Sequence, residues 1–96
     1  LNTVSIRNVH PNTTVAFRMN NLSGNISDLT LYASKADGTL TPVASELWKI
    51  TSEDGQEITE LTAGTLYEVR ITVADNGDLD LNEVEKEIRL SVVLGK

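Results

Sequence analysis

Ninety-six residues suffice for one domain, because single cores usually run to roughly 100–150 residues. The formal net charge of −6 repels phosphate backbones and argues against nucleic acid as a partner. The chain has no cysteine, which excludes disulfides and thiolate metal sites and argues against an antibody-type domain with its bridged sheets. No stretch approaches the roughly 20 apolar residues of a membrane-spanning helix, so membrane insertion is not expected. A start at Leu1 and an end at Lys96 just past a strand-like run read as residues 1–96 forming a single domain excised from a longer protein.

Period-two alternation dominates from the first residues onward. Val4 and Ile6 alternate with Ser5 and Arg7, and after the His10-Pro11-Asn12 turn Val15, Phe17 and Met19 alternate with Ala16 and Arg18. A polar run, Asn20–Asn25, precedes Leu29 and Leu31, which alternate with Thr30 and Tyr32. Asp37-Gly38 is a hairpin signal between Tyr32 and Leu40, and Asp54-Gly55 repeats it after the Leu47–Ile50 run. Ala63-Gly64 leads into Tyr67, Val69, Ile71 and Val73, and Asp75-Asn76-Gly77-Asp78 closes that strand. Leu81–Glu87 is the one short segment with helix-like spacing. The last run alternates Ile88, Leu90, Val92 and Leu94 with Arg89, Ser91 and Val93. Each run places one apolar face inward, as a half-buried antiparallel strand requires. The expectation is an all-β, antiparallel sandwich of seven or eight strands.

Residues 58–73 are more specific. Leu61, Gly64, Thr65, Tyr67, Val69 and Ile71 form a leucine, a tight turn and a tyrosine that opens an alternating strand, with Ala63 where proline is usual. This stretch resembles the corner between the fifth and sixth strands of fibronectin type III and related immunoglobulin-like domains. The resemblance implies a Greek-key immunoglobulin-like sandwich. It also implies structural roles for Tyr67, Leu61 and Gly64: the ring packs in the core while the hydroxyl bonds backbone a few residues upstream. The family's early core tryptophan has no counterpart, since the single tryptophan is Trp48, in mid-chain. The stretch from Thr72 to Ile88 also resembles the Asp/Gly-rich ends of domains near the cell-surface anchor of bacterial exported proteins.

Oxygen-bearing side chains cluster in Asp75, Asn76, Asp78, Asp80, Asn82 and Glu83. Calcium takes six to eight hard oxygen ligands, and alternating carboxylates in a loop converge on one ion, with Asp37 or Asp54 of a neighbouring loop completing the set. An EF-hand is disfavoured, because Leu81 stands where its sharp turn uses glycine. The competing reading is a solvated acidic loop that keeps the sheet edge unsticky. Trp48 and Tyr32 are the candidate ligand-binding aromatics; for Trp48 the pattern leaves core and platform roles open. His10, the sole histidine, lies in a turn with no nucleophile motif near it, and the serines form no nucleophile elbow, so no catalytic residue is assigned. The sequons at Asn12, Asn21 and Asn25 carry no weight in a bacterial protein.

The expected role is therefore a non-catalytic structural or adhesive module of an extracellular bacterial surface protein, calcium-stabilised if the acidic loop holds an ion. High Thr and Asn usage fits that setting. Its partners would be neighbouring domains of the same chain and a protein or glycan ligand. The alternative is a carbohydrate- or peptide-binding accessory domain of a secreted protein. A third route to assembly is strand donation through Ile88–Leu94, although that run is expected to pair within its own sheet.

Overall fold

A computed structural model describes residues 2–73, 81–84 and 87–95. These residues form strands β1 (Asn2–Arg7), β2 (Thr14–Met19), β3 (Gly24–Asn25), β4 (Thr30–Ser34) and β5 (Leu40–Pro42). They continue as β6 (Trp48–Ser52), β7 (Glu60–Leu61), β8 (Tyr67–Thr72), β9 (Leu81–Val84) and β10 (Glu87–Gly95). Single 3-10 turns at Ile26–Asp28 and Ser45–Leu47 are the helical pieces among the described residues. The protein is all-β, and every strand pair is antiparallel.

The larger sheet runs β1–β10–β4–β5, with β9 also against β10. Nine residues make β10 long enough to share one edge: Glu87–Leu90 pair with β9 and Val92–Gly95 pair with β4. The second sheet runs β2–β8–β6, and β3 pairs with β7. Directly opposed residues point to the same face, so the registers define rows of side chains. Val4, Val92 and Ala33 form one inward row of the larger sheet. Phe17, Val69 and Ile50 form another in the second sheet, followed by Val15, Ile71 and Trp48. These rows belong to one buried cluster, so the two larger sheets share a core. Val69 and Ile71 are fully buried on the central strand β8, each contributing about 1.5–3 kcal/mol by burial.

Two sequence expectations change. The strand count among the described residues is ten rather than seven or eight, because β3, β5 and β7 are pieces of only two or three residues. The helix-like spacing of Leu81–Glu87 resolves instead into β9 and the start of β10, with Val84 opposite Glu87. A short segment gains little from isolated helical bonds, whereas a ladder to a long neighbouring strand satisfies its backbone. The Ile88–Leu94 run has neighbours on both edges within its own sheet.

The turns follow their residues. In the β4–β5 hairpin, Lys35 N–H donates to the Thr39 carbonyl (2.9 Å) and Gly38 N–H to the Lys35 carbonyl (2.9 Å). Gly38 sits at φ +87°, the left-handed position that a three-residue hairpin loop reserves for glycine. The Asp54-Gly55 turn repeats this pattern: Ser52 N–H donates to the Gln56 carbonyl and Gly55 N–H to the Ser52 carbonyl (both 3.0 Å).

Registers also place the ends. Asn2 lies opposite Leu94, so the first and last strands bring the chain in and out at one end of their sheet. The Asp37-Gly38 turn lies at the other end, with the passage from β1 to β2. Val73, just past the end of β8, is tied to that passage: Asn12 N–H donates to its carbonyl (2.7 Å), and its own N–H donates to the Thr13 carbonyl (2.8 Å). The Asp54-Gly55 turn falls at the opposite end, beyond the Ser52–Tyr67 pair.

Candidate functional site

The corner around Tyr67 holds the connection between β7 and β8. Tyr67 is buried, and its hydroxyl accepts a hydrogen bond from the Thr62 backbone N–H at 2.8 Å. Leu61 is buried in the same core cluster. Gly64 adopts φ +95°, and its N–H donates to the Asn20 carbonyl (2.7 Å), which ties the corner to the end of β2. These contacts tie all three residues into the framework.

Trp48 opens the edge strand β6. Its register partner Ile71 points into the core, so the indole lies on the inner side of the second sheet and packs against the buried cluster. It remains half-buried because the core opens beside it. An open cleft of about 390 Å³ lies there, its apolar lining formed by Ile26, Leu29, Trp48, Ile50 and Ile58. Ser27, Ser45 and Thr59 supply hydroxyls at its rim. Lys49 and Glu57 close one side as an ion pair at 3.0 Å, both exposed. Two loop segments are pinned together to make the far wall: Ile26 N–H donates to the Thr59 carbonyl at 2.9 Å.

Tyr32 does not join Trp48. It lies on the outer face of the other sheet, in a row with Thr3, Val93 and Pro42, while its chain neighbours Leu31 and Ala33 are fully buried. The two aromatics therefore form no shared platform. The cleft partners Ile26 and Ile58 carry no periodic pattern, because each is a lone apolar residue between polar neighbours. That isolation is itself the available signal, since a branched apolar residue in a loop usually covers something.

The calcium candidates Asp75, Asn76, Asp78 and Asp80 lie outside the described residues. Asn82 and Glu83 are in β9, in register with Arg89 and Ile88. Among the described residues no group of three or more His, Asp or Glu side chains is arranged to hold a metal ion. Asp37 and Asp54, the proposed helpers, sit at opposite ends of the strands and are each engaged locally. Asp37 Oδ1 accepts the Thr39 N–H at 2.9 Å, and that bond holds its carboxyl below the usual carboxylate range. Asp54 accepts a hydrogen bond from the Ser52 hydroxyl. His10 is exposed, and its backbone carbonyl accepts the Thr13 hydroxyl. Compared with protein-family models, curated proteins and solved structures, the chain matches none.

Proposed function

We propose that the chain is a non-catalytic structural or adhesive module of an extracellular bacterial surface protein, a two-sheet sandwich with an immunoglobulin-like corner, used to display loops. The observation that carries this reading is the pairing of Asn2 with Leu94. Flanking chain on both sides would leave from one end of the larger sheet, and the turns at the other end would project from it. A bead in a load-bearing string needs its two ends far apart; a display module does not. The immunoglobulin likeness rests on the Tyr67–Thr62 corner and the shared core of the two sheets. Immunoglobulin domains set the tyrosine-bearing strand beside the last strand, whereas β8 here lies between β2 and β6. The likeness is therefore one of layers and corner, with a different strand order.

Pulling tests display against spacing. Force applied through residues 2 and 94 would peel β1 from β10 one pair at a time, because antiparallel partners pulled apart from the same end unzip. Rupture at low force, without a shear-resistant peak, is the expected trace; a high single peak would favour a spacer under load.

Calcium stabilisation by Asp75, Asn76, Asp78, Asp80, Asn82 and Glu83 belongs to the same proposal and rests on the sequence. With a dissociation constant tenfold below 1 mM calcium, the ion would add about 1–2 kcal/mol. The melting temperature should then rise by about 5–10 °C over EDTA, and Asp78→Ala and Asp80→Ala should abolish the rise. An unchanged melt would reduce the loop to a solvated face.

A second reading, a carbohydrate- or peptide-binding accessory domain of a secreted protein, is favoured by the Trp48 cleft, which joins an aromatic floor to a hydroxyl-bearing rim.

A further inference from the structure

Among the described residues, β8 is the one strand against β2, so β2 is an edge of its sheet. The ladder shows which way its backbone points. Val73 accepts the Asn12 N–H and gives its own N–H to the Thr13 carbonyl, so both its polar groups face the chain leading into β2. Backbone direction alternates along a strand, so Ile71, Val69 and Tyr67 face β2 as well and bond their partners Val15, Phe17 and Met19. The far side of the sheet agrees: Ser52, opposite Tyr67, gives its N–H away from β8, to the Gln56 carbonyl. The N–H and C=O groups of Thr14, Ala16 and Arg18 therefore point out from the sheet edge, and no backbone group of the described residues bonds them. Asn12, at φ +61°, and Thr13 share Val73 as a bulge, so the regular edge begins at Thr14.

The side chains along this edge decide what fits it. Val15 and Phe17 point to the core but stay half-buried, which leaves apolar surface at the rim. Thr14, Ala16 and Arg18 are exposed on the outer face. Neither proline nor an inward-pointing charge, the usual guards of an edge, stands between Thr14 and Met19. All 14 acidic residues fall at or after Asp28, whereas residues 1–27 hold Arg7 and Arg18. Two molecules of net charge −6 thus meet with least repulsion through this part of the surface.

We infer that β2 pairs with β2 of a second copy of the chain, antiparallel and centred on Ala16, which joins two three-stranded sheets into one. In this register Ala16 faces Ala16 and Thr14 faces Arg18, and each such pair exchanges both backbone hydrogen bonds. Outward groups meet outward groups along the whole strand. Val15 stands beside Phe17 of the second copy, an aromatic–β-branched pair that covers both rims. The two Arg18 side chains lie four residues apart along the pair, about 14 Å, beyond the screening length of about 8–10 Å. The contact is isologous, the commonest form of self-association. Six residues a side fall well short of the roughly 20–30 of a standard interface, so the dimer is weak and fills at high local concentration. The Trp48 cleft, at the opposite edge of the sheet, stays open.

The chain has no cysteine, so single cysteines report the register. Ala16→Cys sets two thiols on the two-fold axis with Cα atoms about 5.5 Å apart, within the span of a disulfide. Thr14→Cys, also at an exposed position, sets them about 14 Å apart and out of reach. Mild oxidation at millimolar protein is expected to give at least tenfold more covalent dimer from Ala16→Cys than from Thr14→Cys. Sedimentation equilibrium of the unaltered chain should show a monomer–dimer equilibrium that strengthens with added salt, as screening removes the repulsion between two acidic molecules. Ala16→Pro removes an N–H that the β2–β8 ladder does not use, so it should keep its melting temperature and weaken the dimer at least tenfold. Equal cross-linking of the two cysteine variants, or a dimer that Ala16→Pro leaves intact, would overturn the pairing. So would a monomer throughout, at millimolar protein and high salt, which would leave the edge to a strand of another protein.

Discussion

Tyr67 shows how one side chain ties sequence to geometry. Its hydroxyl takes the Thr62 N–H while its ring is buried, so Tyr67→Phe removes one hydrogen bond and little else. The variant should lose about 1 kcal/mol, read as a fall of roughly 4–8 °C in melting temperature. Gly64 offers a cleaner separation of causes. A Cβ there meets nothing within 4 Å, yet φ is +95°. Gly64→Ala should therefore cost about 1 kcal/mol from conformation alone, and Gly64→Asn less, as measured by urea unfolding. Asp37 makes a pH prediction. The Thr39 N–H favours its ionised form, so its folded pKa lies below the unfolded one. The hydrogen bond then contributes fully above the unfolded value and is lost as pH falls through the folded value. Carboxyl chemical shifts should place its titration below that of an unpaired aspartate, and Thr39→Pro, which removes the donor, should return it to the ordinary range.

At the scale of strands, the central position of β8 concentrates the energy. Ile71 is fully buried between Val15 and Trp48. Ile71→Ala should cost 2–5 kcal/mol through lost burial and a cavity. Leu66, one residue before β8 and 37% exposed, is a matched contrast: Leu66→Ala should stay within about 0.5 kcal/mol. The alternation within β1, β2, β8 and β10 was readable from the chain because one face of each strand meets the core and the other meets solvent. The glycine turns were equally readable, since Gly38, Gly55 and Gly64 all occupy positive φ. The segment Leu81–Glu87 was not, because a short apolar spacing fits a helix and a strand alike until a neighbour supplies the ladder.

For the molecule as a whole, the decisive features are relations between distant segments. The pairing of Asn2 with Leu94 sets where flanking chain would leave, and the low-force unzipping expected through those ends follows from that register. The site likewise exists only in the assembled molecule. Trp48 and Tyr32 are both aromatics beside strand-like runs, yet they lie on different sheets and opposite kinds of face. Ile26 and Ile58 are 32 positions apart and reach one cleft through the bond between Ile26 and Thr59.

The amino-acid order alone determined the all-β character, the inward faces of the long strands, the hairpin turns and the tyrosine corner, because alternation, glycine torsion and a local hydroxyl bond act over a few residues. Strand order was decided elsewhere. Whether β8 lies beside β10 or between β2 and β6 depends on which long-range pairing buries the larger apolar area, and no local pattern encodes that sum. The cleft beside Trp48 is its by-product: with β8 covered on both sides, β6 becomes the outer strand and its indole is left at the rim.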